Sequence, residues 1–172
     1  MVEWCEFDSQ VGTVFAASSD RGLCRLSFGK KDTRDFDWLE KHFKRQPISA
    51  AKIPVSSILL QVQKELEEYL NGIRREFSVT LDLKGTPFQR AVWRELRRIP
   101  AGETISYGAL AARVGYPRAA RAVGGAMRAN PVPILVPCHR VLPADGTVGD
   151  YGGGSELKEF LLRLEGATFR QS

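Results

Sequence analysis

Cysteine and histidine are both scarce in this 172-residue chain. It contains three cysteines, Cys5, Cys24 and Cys138, and two histidines, His42 and His139. Three scattered cysteines are too few for a disulfide framework, and no cysteine or histidine pairs have the close spacing of a zinc site. We therefore expect neither a disulfide scaffold nor a bound metal, and we interpret Cys5 and Cys24 as small buried hydrophobic residues in strands.

Long apolar runs are also missing. No stretch approaches the roughly 18 consecutive apolar residues that predict a membrane-spanning helix. The first four residues have neither the basic start nor the apolar stretch of a secretory signal. Hydrophobic residues make up 43% of the chain and charged residues 26%, which is typical of globular proteins. We expect a cytoplasmic protein that does not associate with membranes.

Negative charge is scarce in one segment. Between Thr86 and Asn130 eight arginines stand against two acidic residues, Glu95 and Glu103, which gives this segment a charge of +6. The whole chain carries +5, so the remainder sums to −1. A positive field confined to one segment indicates a polyanionic partner, although a merely solvated basic face would explain it as well.

The chain changes character near residue 84. The first part alternates short apolar runs with turns, then shows helical periodicity, and the second part is rich in helices and arginine. The elements predicted for the first part are strands at residues 2–7, 13–17, 22–28 and 77–83 and helices at residues 32–43 and 57–70. We expect an α+β protein, with a small antiparallel sheet in a structural domain of residues 1–84. A mostly helical domain of residues 85–172 would carry the function.

A helix-turn-helix is predicted at the start of the second part. Thr86 caps a helix that extends to about residue 98, and Ser106 caps a second helix. Residues 115–117 form a glycine-containing turn before a third helix at residues 118–129. Two helices joined in this way are a common device for docking on DNA.

The third helix presents small residues and arginine where a major-groove reader would present polar side chains for base edges. Small residues allow the helix backbone to approach DNA closely, which favours the minor groove. Gly124 and Gly125 each cost roughly 1 kcal/mol in a helix relative to alanine, and tight helix packing is the alternative reason for them. Arg121 faces outward, where it could replace an extruded nucleotide or bind a phosphate.

Residues 130–140 combine three prolines with an apolar run that looks like a buried strand, and they end in Cys138, His139 and Arg140. A thiolate is the reactive form of cysteine, and a nearby imidazole can take its proton. Successive side chains of an extended chain point apart, so a water molecule or a special turn would have to connect the two. The bare pair is weak support for catalysis on its own.

A predicted C-terminal helix starts at Ser155, with an apolar face formed by Leu157, Phe160, Leu161 and Leu164. Glu165 lies beside that face, and buried carboxylates are rarely left unpaired. His139 or Arg140 would be its partner. Ahead of the helix, Tyr151 and three glycines form either a lid over a ligand or a flexible linker.

Together these residues resemble the O6-alkylguanine-DNA alkyltransferase family. The resemblance covers residues 85–166 and is carried by the RAVGGAM run at residues 121–127, by Asn130-Pro131 and by the PCHRV run at residues 137–141. The first half resembles the family only in its plan, a ribonuclease H-like sheet with helices.

The resemblance implies a chemical role for five residues. Cys138 would accept the alkyl group, His139 would be the base, acting through a water molecule, and Glu165 would orient His139. Asn130 would hold the turn between the third helix and the active site. Tyr107 would assist nucleotide flipping and then donate to the departing guanine ring. No cofactor would be needed, and each molecule would act once because the thioether product is stable.

The resemblance also implies how double-stranded DNA containing O6-alkylguanine, or O4-alkylthymine, is held by a monomer. Arg121 would replace the flipped base, the Gly152 amide would bind the O6 atom, and the carbonyls of Cys138 and Val141 would recognise the exocyclic amine. The other implied base-pocket residues are Met127, Pro133 and Tyr151. The other implied DNA contacts are Thr86, Tyr107, Ala120, Ala122, Gly124, Gly125 and Arg128. Whether binding is cooperative along DNA is left open.

Three alternatives are weaker. A non-catalytic protein that binds and flags alkylated DNA would carry another residue in place of Cys138, usually tryptophan. A helix-turn-helix transcription factor would present polar residues to the base edges. A cysteine hydrolase using Cys138 and His139 would leave the basic helix unexplained.

Overall fold

The computed structural model describes residues 1–44, 47–49 and 55–171. The chain forms two compact units, Met1–Lys84 and Gly85–Ser172. Mixed α and β structure, with a small antiparallel sheet first and helices after it, confirms the predicted fold class. None of the helices in the described ranges is long and apolar enough to cross a membrane.

The first unit is built on a three-stranded antiparallel meander. Its strands are β1 (Val2–Ser9), β2 (Gly12–Ser19) and β3 (Gly22–Phe28), with β2 in the middle. Two-residue turns join them, and Gly12 has the positive φ of 93° that its turn requires. A short β4 (Ile48–Ser49) pairs in parallel with β1 at the edge of the sheet. The predicted meander is confirmed, with strands slightly longer than the sequence pattern indicates.

Both faces of the central strand are covered. Helix α1 (Thr33–Phe43), capped by Asp32, places Leu39 in a buried cluster with Phe15 and Ala17. Val14 and Ala16 point to the opposite face, because side chains alternate along a strand. Helix α2 (Ser57–Leu70) packs against the sheet. Its bounds match the predicted helix, and its buried residues recur at the predicted helical spacing.

The predicted strand at residues 77–83 is wrong. The segment is extended, but only Leu81 forms a bridge, to Leu23 of β3. The Glu65 carboxylate of α2 accepts a hydrogen bond from the Ser78 backbone N–H at 2.9 Å and another from the Ser78 hydroxyl. Phe77 also contacts the Tyr69 ring of α2. The alternation of apolar residues therefore reflects packing and hydrogen bonding against α2, and it does not indicate pairing in a sheet.

The second unit begins with three helices. Helix α3 (Pro87–Leu96) starts with a capping box between Thr86 and Gln89. Helix α4 (Tyr107–Arg113), capped by Ser106, and helix α5 (Ala120–Arg128) form the predicted helix-turn-helix. Helix α5 starts two residues later than predicted, because the Ala119 amide bonds to Tyr116 in the turn. Trp93 of α3 is buried, and its indole N–H donates to the Ala126 carbonyl of α5 at 2.9 Å.

Residues 130–140 do not form the strand that their apolar pattern suggests. The Val136 amide bonds to the Val132 carbonyl, so the chain turns. Ile134 within this turn has a φ of 73°, a conformation that costs of order 1–3 kcal/mol for a residue with a side chain. A 3₁₀ turn of Cys138–Arg140 follows and leads into β6 (Val141–Leu142), which pairs with β5 (Ile105–Ser106). The chain ends with α6 (Ser155–Leu164).

Candidate active site

The second unit contains a cavity of about 720 Å³ beside Cys138. Three parts of the chain surround it: the outer face of α5, the beginning of α4, and a loop between β6 and α6. We call that loop side the loop wall, formed by Pro143, Gly149, Asp150, Tyr151 and Gly152. The other lining residues are Tyr107, Ala120, Arg121, Gly124, Met127, Arg128 and Cys138. The structure therefore brings most of the predicted site residues around one cavity.

Other predicted site residues lie elsewhere. Asn130, His139 and Glu165 are not among the lining residues, and His139 and Glu165 are buried. Of the residues predicted to form the base pocket, Pro133 and Val141 are not among those that line the cavity. The Val141 side chain is fully buried. The Val141 carbonyl already accepts a hydrogen bond from Lys158.

The predicted DNA contacts outside the lining are Thr86, Ala122 and Gly125. Ala122 is exposed on α5 and Gly125 is half-buried there. Thr86 is exposed at the start of α3, where its hydroxyl accepts the Gln89 amide at 3.1 Å. These three positions are thus accessible or partly accessible without forming part of the cavity wall.

The Cys138 thiol is held by Asn130. The Asn130 amide donates to the Cys138 sulfur at 3.2 Å and to the Val136 carbonyl at 2.9 Å. Its carbonyl oxygen accepts the Val132 amide at 3.0 Å. Burial raises the pKa of the Cys138 thiol, while the Asn130 hydrogen bond and the charge of Lys158 act to lower it. Asn130 thus joins the end of α5 to the sulfur atom.

His139, Arg140 and Glu165 form a buried triad. Glu165 Oε1 lies 2.8 Å from His139 Nε2 and 2.8 Å from Arg140 Nη2. Glu165 Oε2 accepts the Arg140 Nε–H at 3.0 Å. Both partners that the sequence allows for Glu165 are therefore present at once. Burial favours the neutral carboxyl, but the hydrogen bonds from His139 and Arg140 outweigh it and hold the Glu165 pKa well below its usual range.

The triad determines which form of His139 is present. Burial lowers the pKa of His139 more than Glu165 raises it, so the imidazole is neutral at pH 7. Because Nε2 faces a carboxylate, Nε2 carries the proton and donates it. Nδ1 is then an acceptor, and within the described ranges it is buried without a hydrogen-bond partner. The site holds a neutral base, with its lone pair free, one residue from a thiol.

Helix α5 exposes its glycines to open space. A Cβ at Gly124 would come no closer than 3.6 Å to another group, the Arg128 guanidinium, and one at Gly125 no closer than 4.0 Å. Tight helix packing therefore does not explain these glycines. Arg121 and Arg128 are exposed on the same helix, and within the described part of the chain neither forms an ion pair. The surface of α5 thus combines an approachable backbone with uncompensated positive charge.

Two family models match this chain. The ribonuclease-like domain of 6-O-methylguanine DNA methyltransferase matches residues 4–83, and the DNA binding domain of the same family matches residues 87–167. A methylated-DNA–protein-cysteine methyltransferase of Methanosarcina acetivorans is 39% identical over 164 residues, covering 94% of this chain and 96% of that protein.

A constitutive methylated-DNA–protein-cysteine methyltransferase of Bacillus subtilis is 36% identical over 165 residues, covering 95% of each chain. The crystal structure of Mycobacterium tuberculosis OGT in complex with DNA matches with a TM-score of 0.81 at 37% identity, covering 95% of this chain and 92% of that one. The chain belongs to the 6-O-methylguanine DNA methyltransferase family. Along the sequence, the boundary between the two compact units falls between the two matched domains.

Sequence reasoning missed one residue near the site of this methyltransferase. Lys158 of α6 is 1% exposed, and its Nζ donates to the Val141 carbonyl at 2.7 Å. Phe160, which was expected on the buried face of α6, is 39% exposed, and Leu162 is buried instead. The buried face is thus formed by residues 158, 161, 162 and 165. A lysine three residues before Leu161 and seven before Glu165 was the available signal, but a lysine normally indicates a solvent-facing position.

Proposed function

We propose that this chain repairs DNA directly by moving the alkyl group from O6 of guanine onto the sulfur of Cys138. One observation carries the proposal. Cys138 lies at a cavity walled by the glycine- and arginine-bearing face of α5, with Asn130 on its sulfur and the neutral His139 beside it in the chain. The nucleophile and its base therefore lie next to the helix that would face the nucleic acid.

DNA would bind through the exposed face of α5. Gly124 and Gly125 let the helix backbone approach a narrow groove, and Arg128 supplies charge for the phosphates. This arrangement favours the minor groove and recognition by shape. A reader of base edges in the major groove would present polar side chains instead.

The target nucleotide would enter the cavity by flipping out of the duplex. Arg121 lines the cavity from an exposed position, where its side chain can occupy the space that the nucleotide leaves. The cavity has the size of an ordinary small-molecule site. Tyr107 lines the cavity from α4, and Tyr151 and Gly152 line it from the loop wall, so an aromatic ring and a backbone amide are available to hold a flat base.

The chemistry would begin with loss of the thiol proton. A water molecule would carry this proton from Cys138 to His139 Nδ1, and Glu165 would stabilise the resulting imidazolium through Nε2. The thiolate then attacks the alkyl carbon, the S–C bond forms, and the C–O6 bond breaks with its electron pair on guanine.

The departing guanine takes up one proton, which balances the proton lost by the thiol. Tyr107 is the proposed donor at this point. Burial is the main cause of a raised Tyr107 pKa, so its hydroxyl still carries a proton at pH 7. The imidazolium or solvent then restores the tyrosine.

The product would be a stable thioether, so each molecule would act once. Of the other two cysteines, Cys24 is fully buried and Cys5 half-buried, both in the first unit. Burial raises the thiol pKa to about 12 for Cys24 and to about 11 for Cys5. Neither is an activated nucleophile. The same attack would accept O4-alkylthymine.

The test is intact-protein mass spectrometry after mixing the protein with a duplex containing one O6-methylguanine. We expect the mass of one methyl group to be added, mapped to Cys138, and never more than one per molecule. Cys138→Ala should show no gain, while the matched control Cys5→Ala should behave as wild type. Tight binding to the lesion without a mass gain would refute transfer and indicate a damage-binding protein.

A further inference from the structure

The segment that follows α6 returns to the loop between β6 and α6. In residues 167–170, which we call the strap, Arg170 forms a parallel bridge with Thr147 of that loop. The Arg170 amide donates to the Gly146 carbonyl at 2.8 Å, and its guanidinium donates to the Asp145 carbonyl at 3.4 Å. One residue of the strap therefore fastens the base of the loop through both its backbone and its side chain.

The strap is also anchored on α6. Gly166 has a φ of 74° and reverses the chain after the helix, and the Ala167 amide donates to the Leu162 carbonyl at 2.9 Å. The Arg163 guanidinium lies over the Phe169 ring, 5.3 Å from its centroid. The strap is thus held on the helix at one end and on the loop at the other.

A turn connects the contact at Arg170 to the cavity. The Gly146 amide donates to the Pro143 carbonyl at 2.9 Å and closes this turn. Pro143 lines the cavity and packs against Gly149, where a Cβ would lie only 2.7 Å from Pro143 Cγ. Gly149 has a φ of 72° and leads directly into residues 150–152, which complete the loop wall. The strap is therefore connected to the wall of the cavity through consecutive contacts.

The loop itself contributes little to the core. Among residues 143–154, all of which the structure describes, only Val148 is buried, and no helix or strand forms. The one bridge in this range is the pairing of Thr147 with the strap. Loops with few buried contacts open locally at little cost in free energy. A fastening at the base of this loop therefore affects how often the loop wall is in place.

We propose that Arg170 is a positioning residue of the base pocket, because the strap holds the loop wall where Tyr151 and Gly152 can bind the flipped nucleotide. This inference rests on the proposed function in taking the cavity as the place where that nucleotide binds. Arg170 contacts the base of the loop and acts on the cavity through the turn at Pro143. Its loss therefore weakens binding of the flipped nucleotide, while the attack by Cys138 keeps its rate.

Three substitutions at Arg170 separate the backbone contact from the side-chain contact. Arg170→Pro removes the amide N–H and the guanidinium, whereas Arg170→Ala removes only the side-chain contact. Arg170→Lys keeps the amide and the aliphatic stem, which lies against Gly146, since a Cβ there would be 3.6 Å from Arg170 Cγ and Cδ. Loss of one hydrogen bond changes an equilibrium by about two- to tenfold. The effect should therefore be largest for proline, smaller for alanine and smallest for lysine.

The first measurement is NMR of the free protein, without DNA. Arg170→Pro should shift or broaden the amide signals of Gly149 and Gly152 in the loop wall. Arg170→Ala should do so less, and Arg170→Lys should match wild type. Gln171→Ala, at the exposed residue after the strap, is the matched control and should leave these signals in place. Unchanged loop-wall signals in Arg170→Pro would overturn the proposal.

The second measurement is DNA binding by fluorescence anisotropy in a Cys138→Ala background, in which this residue can accept no alkyl group. Arg170→Pro should lower the preference for a duplex with one O6-methylguanine over the unmodified duplex by about two- to tenfold. Affinity for the unmodified duplex should not change, because the exposed face of α5 is untouched. An unchanged preference, or equal weakening on both duplexes, would overturn the proposal.

The third measurement separates binding from chemistry and keeps Cys138. In single-turnover transfer, the half-saturating protein concentration should rise by the same factor, and the limiting rate should stay within about twofold of wild type. A lower limiting rate with an unchanged half-saturating concentration would overturn the positioning role. Thermal unfolding shows whether Arg170→Pro folds, and Arg170→Ala takes its place if it does not.

These measurements also separate the two proposals. The NMR measurement uses no DNA, and the binding measurement uses no alkyl transfer. A wild type that takes up no methyl group would therefore refute the proposed function, while the first two measurements would still decide the role of Arg170.

Discussion

Replacing Glu165 by glutamine removes one negative charge from a buried site that holds two hydrogen-bonded partners. The carboxylate accepts His139 Nε2–H and two N–H groups of Arg140 within 3.0 Å, and Arg140 is itself buried. Glutamine keeps the shape of the glutamate side chain but leaves the Arg140 guanidinium without a counter-charge. Its amide N–H₂ group would also face the N–H donors of His139 or Arg140. Breaking a buried pair in this way costs about 3–5 kcal/mol.

The expected loss is large enough to measure by thermal unfolding. For a chain of this size each kcal/mol corresponds to roughly 2–4 °C, so the Tm of Glu165→Gln should fall by about 6–20 °C. Glu103→Gln, at an exposed glutamate of the same unit, should change the Tm by no more than about 2 °C. The alkyl-transfer rate should fall with the stability, since His139 loses the group that determines its tautomer.

The pH dependence gives an independent check. The Glu165 pKa is lower in the folded protein than in the unfolded chain, so ionised Glu165 stabilises the fold above its unfolded pKa of about 4.3. This contribution is lost as the pH falls below that value toward the folded pKa. Wild type should therefore lose stability relative to Glu165→Gln in acid. A variant as stable as wild type at pH 7, or a difference that does not shrink in acid, would refute the reasoning.

Two further predictions concern α5. Gly124→Ala should raise stability by about 0.5–1 kcal/mol, because the added methyl group meets open space and alanine favours the helix. The same change should weaken DNA binding in fluorescence anisotropy, and a loss of stability would contradict the close-approach role. Arg128→Ala should weaken binding to unmodified duplex and lower the slope of log K against log salt by about 1. An unchanged slope would mean that Arg128 contacts no phosphate.

Local pattern was enough for the meander and for most of the helices. Apolar spacing predicted α2 with its observed bounds, and glycine-containing turns predicted the meander. Thr86, Ser106 and the turn after α4 located the helix-turn-helix. These signals succeed because caps, turns and helical periodicity depend on residues within a few positions of one another.

The same signals failed where side chains distant in sequence decide the conformation. Residues 77–83 alternate like a strand, but Glu65 binds Ser78 and limits the backbone pairing to one bridge. The run before Cys138 reads as a strand, but it folds into a turn around the Asn130 amide. Neither interaction can be predicted from the local pattern of hydrophobic residues.

The sequence alone indicated that this chain has two parts, that the second carries a basic helix-turn-helix, and that Cys138, His139 and Glu165 are candidate site residues. Only the tertiary structure decided that Glu165 binds His139 and Arg140 simultaneously, and that Lys158 is buried with its ammonium on the Val141 carbonyl. Residue types and spacing are local properties. The pairing of buried charges depends on segments about 25 residues apart that meet only when the core closes.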